Sequence, residues 1–191
     1  MKSEQTKEKI IENTIKLIRE YDGDTEKITI RRIAEQAGVG TGLVNHYFGQ
    51  KDTLIEICVQ RIISNVIHSF RPEDIQSNSP VERTKYTAGQ VMDFLMENRQ
   101  ISKVSILNDL NFPQAMDNTM RSAAGFERGL SGEEPGGKAK LEAFAITVIM
   151  QAAFLRKDVF KESMGIDFYC KKERDAFLGE IIEKICGGRS I

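Results

Sequence analysis

The sequence predicts an all-α protein of about nine helices, in which an N-terminal group of three helices precedes a longer helical C-terminal part. Apolar residues recur at helical spacing along nearly the whole chain, and no segment keeps the strict apolar and polar alternation of a half-buried strand. The 191 residues are 40% hydrophobic and 29% charged, which is ordinary for a folded chain with a real core. Turn-forming clusters separate the helical stretches.

The predicted organisation has three parts. Residues 1–50 form an N-terminal three-helix domain, residues 51–70 a connecting helix, and residues 71–191 a helical C-terminal domain. The boundary rests on residues 71–80, a segment with two of the four prolines that cannot easily continue a helix. We find no internal repeat of fixed period, which argues against a helical solenoid.

The N-terminal domain begins with an amphipathic helix that ends at the turn-forming residues 22–24. Thr29 stands where an N-cap would precede the second helix, and Gly38 is available for the positive φ that ends it. A third helix follows almost at once, and Val44 and Phe48, four residues apart, are predicted to face inward. The outward face then carries polar or small residues: Thr41, Gly42, Asn45 and His46.

Five further helices are predicted in the C-terminal part, at residues 81–97, 99–110, 113–130, 138–157 and 168–187. The helix at 138–157 is apolar nearly all round, so it needs neighbours on two sides. One neighbour is either another part of the same chain or a partner subunit.

Composition argues against several classes of protein. The three cysteines are odd in number and form no CxxC, which fits neither a disulfide framework nor a zinc ribbon. The N-terminus has no signal-peptide core and the chain no apolar run near 18 residues, so we expect a cytoplasmic protein without a membrane span. With only His46 and His68, we expect no metal or cofactor. No nucleophile, base and orienting group can be assembled, so an enzyme is not expected.

Two short helices joined by a tight turn at Gly38, with a polar second helix, are the layout of a helix-turn-helix. In DNA complexes the second helix of this motif enters the major groove. Residues 27–51 carry four lysines and arginines against one glutamate, whereas residues 1–54 balance at nine against nine. Positive charge is therefore concentrated on the surface predicted to face DNA.

The segment 29–55, TIRRIAEQAGVGTGLVNHYFGQKDTLI, resembles the helix-turn-helix signature of the TetR family of transcriptional regulators. The resemblance covers about residues 5–60, and beyond them the chain is similar only in being helical. It implies a homodimer that binds a pseudo-palindromic double-stranded DNA operator, usually as a repressor, and responds to a small-molecule effector. The matching residues keep the family's order and spacing: Thr29, Ile33, Ala34, Ala37, Gly38, Val39, His46, Tyr47, Phe48, Lys51 and Leu54.

Candidate DNA contacts lie on and beside the third helix. By resemblance, Thr41 and Gly42 lie where the family approaches base edges, and Tyr47 and Lys51 where it contacts phosphates. Asn45 can pair with adenine through two hydrogen bonds, worth about 1–3 kcal/mol of discrimination, or remain merely solvated. Many family members have tyrosine at that position, so the operator preference departs from the family pattern.

The remaining candidates have two interpretations each. Arg31 either contacts phosphate or pairs with Glu35 at i,i+4, and Arg32 has a similar choice. His46 either contacts DNA or packs beside its neighbours. The full set of predicted DNA-binding residues is Thr29, Arg31, Thr41, Gly42, Asn45, His46, Tyr47 and Lys51.

The C-terminal part is rich in adaptable apolar residues, a minority of which could line a cavity for an apolar or amphipathic molecule. The resemblance also implies dimerisation through the last two long helices, at about 138–157 and 168–187. The pocket candidates are Met92, Met96, Met116, Met120, Phe126, Met150 and Phe154.

Other functions remain as alternatives. Gly38 and Gly40 match half of a GxGxxG phosphate loop, but Leu43 stands in place of the third glycine and no strand precedes it. A helical small-molecule-binding or interaction protein with an unused helix-turn-helix is the second hypothesis, favoured by the neutral charge of residues 1–54. A redox switch at Cys58, in the connecting helix, is a further alternative.

Overall fold

The computed structural model describes residues 2–69, 79–130 and 137–187. Within them the secondary structure is ten α-helices and one 3-10 turn (Thr25–Lys27), with no strand, which confirms the all-α prediction. The helices are α1 (Lys2–Glu20), α2 (Ile30–Ala37), α3 (Thr41–Phe48), α4 (Lys51–Ser69), α5 (Pro80–Glu97), α6 (Arg99–Asn111), α7 (Asn118–Leu130), α8 (Gly137–Leu155), α9 (Lys157–Met164) and α10 (Lys171–Cys186).

The first three helices pack their apolar faces into one core. Ile10 and Ile18 of α1 have no exposed surface, nor do Ile33 of α2 and Val44 of α3, while Phe48 is almost as deeply buried. These are the faces that the 3.6-residue periodicity predicts. Because its inner face is anchored in this core, α3 keeps its opposite face toward solvent.

The segment from α2 to α3 is held by capping interactions at both ends of α2. The Thr29 hydroxyl accepts a hydrogen bond from the Arg32 backbone N–H at 3.2 Å, which confirms Thr29 as the N-cap. Gly38 has φ 62°, and the Val39 backbone N–H donates to the Ala34 carbonyl at 2.9 Å. This closure is a Schellman motif, so the turn geometry is encoded locally.

The chain divides into two compact units, and the first contains more than the N-terminal helices. It comprises residues up to Asn65 together with Asn98–Asn111, that is, α6. Gln60 of α4 donates a 2.9 Å hydrogen bond to the buried Asp109 carboxylate of α6. The domain boundary is expected at residues 71–80, and all of these except residues 79 and 80 lie outside the described residues.

The second unit comprises Val66–Glu97 and the described residues from Phe112 onward. Helix α8 contributes much of its core, and three phenylalanine rings meet edge to face with centroids 4.7–5.6 Å apart. No helix among the described residues has the length and apolar character needed to cross a bilayer. The buried residues of α8 include Ala139, Ala143, Ile146, Met150, Ala153 and Phe154, and the three rings belong to Phe160, Phe168 and Phe177.

Two details of the second unit differ from the sequence prediction. Helix α7 begins at Asn118 rather than residue 113, because the Asp117 carboxylate accepts the Met120 backbone N–H at 2.9 Å and so caps the helix there. Helix α9 was not predicted and brings the described helices to ten. It has only eight residues before Gly165 at φ 71°, too few for a clear periodic pattern.

Candidate nucleic-acid interface

Helix α3 presents a polar face directly opposite its buried residues. Thr41, Gly42, Asn45 and His46 are all exposed, so the four predicted outward residues of this helix do lie together at the surface. Val44 is fully buried beneath them. The face is therefore rigidly supported and free of apolar side chains that would need another partner.

Packing within the chain does not require a glycine at position 42. A Cβ built on Gly42 meets no atom within 4 Å, and the same is true of Gly40. The bare backbone at the start of α3 is thus accessible from outside. This is the geometry that close approach to a nucleic-acid backbone or base edge needs.

The Tyr47 side chain is half-buried and oriented by its neighbours. Its hydroxyl lies 3.1 Å from the Ser3 hydroxyl of α1, and its ring meets the His46 ring at a centroid distance of 5.4 Å and 62°. These contacts limit the positions available to the phenol. They also give His46 a packing contact, although the residue as a whole remains exposed.

Lys51 is held at the start of α4 rather than extended into solvent. Its ammonium donates a hydrogen bond to the Thr25 carbonyl at 3.2 Å, and 28% of the side chain is exposed. An ammonium has three donors, so this bond leaves capacity for a second acceptor such as a phosphate oxygen.

Both arginines of α2 have partners within the first unit. Arg31 Nε lies 2.9 Å from Glu35 Oε1, so the i,i+4 pair forms, with both side chains largely exposed. Such a pair is worth only about 0.2–0.5 kcal/mol, which a phosphate contact easily offsets. The Arg32 guanidinium lies over the Tyr21 ring at 5.3 Å.

Sequence reasoning missed two residues of α1 that the fold brings to this surface. Ser3 contacts Tyr47, and the Lys9 ammonium lies 3.6 Å from where a Cβ on Gly38 would stand. Lys9 lies on α1, outside the residues 27–51 in which the sequence concentrates positive charge. Only the packing of α1 beside α2 could have revealed it.

The second unit has a pocket of about 320 Å³ between the end of α4, helix α7 and the first half of α8. Met116 and Met120, of the predicted set, are in its wall. Met92, Phe126, Met150 and Phe154 are instead buried in the core, and Met96 is half-buried and not among the described lining residues. The lining is Ile67, His68, Ala115, Met116, Met120, Arg121, Ala123, Ala124, Glu127, Arg128, Lys140 and Phe144.

Helix α8 also has an exposed apolar stripe. Leu141 is 69% exposed, Phe144 42% and Val148 37%, although the opposite face of the helix is buried. On α10, a Cβ added to Gly179 would meet no atom within 4 Å, so the chain itself leaves room beside that helix.

Cys58 does not have the surroundings of a redox sensor. Its thiol is buried, which raises the pKa to about 12, and Sγ lies 3.7 Å from the Ile11 carbonyl oxygen. A thiol that stays protonated is a poor nucleophile toward peroxide. Among the described residues, no three His, Cys, Asp or Glu side chains are grouped to hold a metal ion.

Comparison with known proteins identifies the N-terminal region. Residues 10–58 match the model of the bacterial regulatory proteins of the tetR family. The chain is 37% identical over 54 residues to the HTH-type transcriptional regulator BetI 2 of Chromohalobacter salexigens, covering 27% of this chain and 26% of that protein. It is 51% identical over 35 residues to BetI 1 of the same organism, covering 18% and 17%. The match thus spans about a quarter or less of these relatives.

Comparison of structures extends the likeness to the rest of the fold. A TetR transcriptional regulator from Rhodococcus sp. RHA1 aligns over 100% of both chains with a TM-score of 0.65 and 11% identity. A tetR-family regulator from Streptomyces coelicolor aligns over 95% of this chain and 79% of its own, with a TM-score of 0.61 and 16% identity. Residues 10–58 therefore match the tetR family by sequence, and the described helices of the chain have the fold of the TetR-family regulators with which they align.

Proposed function

We propose that the protein is a dimeric transcriptional repressor that binds a pseudo-palindromic DNA operator and is released from it by a small effector. The observation that carries this proposal is the solvent-facing polar surface of α3, fixed in place by the buried Val44 and Phe48 and by the capped turn before it. A two-fold dimer would set two such helices about 34–36 Å apart, one turn of DNA.

In this proposal the contacts divide by role. Asn45, Thr41 and the bare backbone of Gly42 face base edges in the major groove, where sequence is read. Tyr47 and Lys51 bind phosphates, which set the register and the salt dependence rather than the sequence preference. Thr29, Arg31 and His46 lie at the edge of this surface and add further backbone contacts.

Dimerisation through α8 and α10 is supported by their uncovered surfaces. The exposed stripe of Leu141, Phe144 and Val148 is long and apolar, and the open space beside Gly179 permits close approach of a second helix. Burying such a stripe gains about 25 cal/mol per Å² of apolar area. A second copy of this chain supplies the same stripe by symmetry.

Effector release needs a mechanical link between the two units. Helix α4 runs from Lys51 to Ser69, and the division between the units falls within it, after Asn65. We expect an effector in the second unit to favour a tilt of α4 that misplaces α3. The loss of operator affinity is then limited by the difference between the effector's affinities for the tilted state and for the DNA-binding state.

Selection of bound duplexes from a random DNA library tests the proposal. We expect an inverted repeat to be enriched by the wild type and lost with Tyr47→Ala. Lys51→Ala is selected in parallel and is expected to bind the operator more weakly than the wild type. Its matched control is Lys103→Ala, because that variant removes an exposed lysine from α6 in the same unit. Folded protein that enriches no sequence would favour instead the helical ligand-binding protein with an unused helix-turn-helix. The pairing of Arg31 with Glu35 and of Lys27 with Asp24 is consistent with that alternative.

A further inference from the structure

The pocket of the second unit owes its space to small residues on the face of one helix. Ala123 and Ala124 of α7 lie at its wall with Ala115 just before that helix, where larger side chains would fill the volume. Apolar surface comes from Ile67, Met120 and Phe144 on three different segments. A volume of about 320 Å³ is at the small end of the range for ligand sites.

The charged residues of the same wall are mainly positive. Arg121, Arg128 and Lys140 line the pocket against a single carboxylate, Glu127, so the fixed charges of the lining sum to +2 without His68. This excess is local, because the whole chain has a formal net charge of −1. The sequence, in which these residues are spread over α7 and α8, does not reveal the cluster.

Two of these cations, Arg128 and Lys140, are exposed. Neither Arg128 nor Lys140 has a hydrogen-bond or ion-pair partner for its side chain among the residues that the structure describes. By contrast, the ammonium of Lys138, two residues earlier on the same helix, lies 3.8 Å from Glu142 Oε1. Lys140 and Phe144 are four residues apart and therefore share a face of α8, which joins a cationic and an aromatic contact in one wall.

We propose that this pocket binds a small amphipathic anion, with a carboxylate or phosphate head held by Arg128 and Lys140 and an apolar body against Met120 and Phe144. The inference rests on the proposed function in that it names the effector class of the regulator. It narrows the expected effector from apolar or amphipathic molecules to amphipathic anions, because the positive wall would repel a cationic head group and would add nothing to the binding of a neutral one.

Three ligands with the same ten-carbon chain separate charge from hydrophobicity: decanoate, decanol and decyltrimethylammonium, each below its micelle-forming concentration. Acetate tests the head group alone. Binding to the full-length protein is measured by calorimetry, since the chain has no tryptophan to report it by fluorescence. We expect decanoate to bind at least about tenfold more tightly than decanol, and decyltrimethylammonium and acetate more weakly still.

Variants then assign the binding to this pocket. Because Arg128 and Lys140 are exposed, each is expected to contribute about two- to fivefold, so Arg128→Gln with Lys140→Gln should weaken decanoate binding about tenfold. Glu127→Gln should strengthen it. Lys172→Gln, an exposed lysine of α10 outside the lining, is the matched control and should change nothing. Ala124→Leu should fill the pocket and abolish binding of decanoate and decanol alike in a folded protein.

The outcomes separate this inference from the function on which it rests. Equal binding of decanoate and decanol, or unchanged decanoate affinity in the double variant, overturns the anionic assignment whatever happens with DNA. Val148→Asp changes an exposed residue of the apolar stripe of α8 and is expected to be monomeric. Decanoate binding by this variant but not by the wild type also overturns the inference, since a second copy would then cover the pocket. Decanoate binding that follows the predicted pattern but leaves operator affinity unchanged supports the ligand class and overturns release by effector.

Discussion

The ammonium of Lys51 donates a hydrogen bond to the backbone carbonyl of Thr25, 26 residues earlier in the chain, at 3.2 Å. The bond ties the first residue of α4 to the 3-10 turn that precedes α2. Lys51 therefore links the residue that follows the helix-turn-helix to the turn that precedes it, and it is also a candidate phosphate contact. A lysine with both roles should affect stability and DNA binding together.

Lys51→Ala is expected to lower operator affinity and to reduce the salt dependence of binding. Each lost phosphate contact should reduce the slope of log K against log salt by about 0.9. Loss of the bond to Thr25 should also cost about 1 kcal/mol of the free energy of unfolding. Binding titrations at several salt concentrations check the first effect and urea denaturation the second. The control Lys103→Ala should leave the slope unchanged; an unchanged slope for Lys51→Ala would remove its phosphate role.

Gly42→Ala should separate folding from DNA binding. The added Cβ meets no atom of the protein within 4 Å, and alanine favours a helix over glycine by up to about 1 kcal/mol, so stability should hold or rise. Operator affinity should fall about tenfold or more, because the methyl group occupies space needed by DNA. Thermal unfolding and a binding titration on the same sample measure both. A stable variant with wild-type affinity would show that DNA does not approach Gly42 closely.

Gly23 and Gly38 both have positive φ but differ in their surroundings. A Cβ on Gly38 would meet only the flexible end of Lys9 at 3.6 Å, so Gly38→Ala should cost about 1–2 kcal/mol from backbone strain alone. A Cβ on Gly23 would lie 3.1 Å from both Gln100 Cβ and Ile101 Cγ2 of α6, so Gly23→Ala should cost distinctly more. Urea denaturation ranks them. Equal losses would mean that α6 moves aside without cost.

Val148→Asp should convert the dimer to a monomer. Val148 lies in the exposed apolar stripe of α8, and a carboxylate there would be desolvated in the dimer without a partner. Val159 of α9 is similarly exposed, at 45% against 37%, and serves as the matched control. Light scattering after size-exclusion chromatography gives the masses. If Val159→Asp dissociated the protein and Val148→Asp did not, the interface would lie elsewhere.

Asp93 should make stability depend on acid pH. Burial by itself raises its pKa, but hydrogen bonds from Lys171 and Arg174 outweigh it and hold the pKa below the ordinary 3.8. A depressed carboxyl pKa stabilises the fold above the unfolded value, and the contribution is lost as pH falls through the folded one. Asp93→Asn leaves the buried Arg174 without its carboxylate and should cost about 2–4 kcal/mol at pH 7.

Urea denaturation of wild type and Asp93→Asn between pH 7 and pH 2 checks this dependence. The difference between the two proteins should be constant above about pH 5 and shrink below about pH 4, as the pH falls from the pKa of the unfolded carboxyl toward the lower pKa of the folded one. Glu180→Gln, which breaks an exposed pair with Lys184, should have little effect at any pH. A difference that stays constant down to pH 2 would show that the carboxylate charge does not stabilise the fold.

The prediction from sequence succeeded where the signals are local. Thr29, Gly38 and the pair Val44 and Phe48 each act within a few residues, through a cap, a φ angle or one turn of helix. The bounds of α2 and α3 and the polar face of α3 follow from them. Asp117 is the same kind of signal, but the sequence also offers Pro113, at which the pattern predicts the start of α7 five residues too early.

Local signals of this kind do not predict contacts between residues that are distant in the chain. Nothing near Asp109 indicates that it accepts a hydrogen bond from Gln60, or that α6 joins the first unit. Nor does periodicity show that Lys140 of α8 lines the same pocket as Arg121 and Arg128 of α7, because it belongs to a different helix. Of the seven residues proposed for a cavity wall, Met92, Phe126, Met150 and Phe154 are buried in the core instead, since apolar composition alone does not distinguish a wall from an interior.

By itself the sequence determined an all-helical chain and a helix-turn-helix, including the caps of α2 and the buried and polar faces of α3. Each of these depends on interactions within one or two helical turns. Only the tertiary structure decided that Lys9 stands beside the turn, that Lys51 braces it, and that the pocket is positively charged. These features join residues that are far apart in the chain: Lys9 is 29 positions from Gly38, Lys51 is 26 from Thr25, and Lys140 is 12 from Arg128. Their proximity is set by the burial of whole helix faces, which no local pattern encodes.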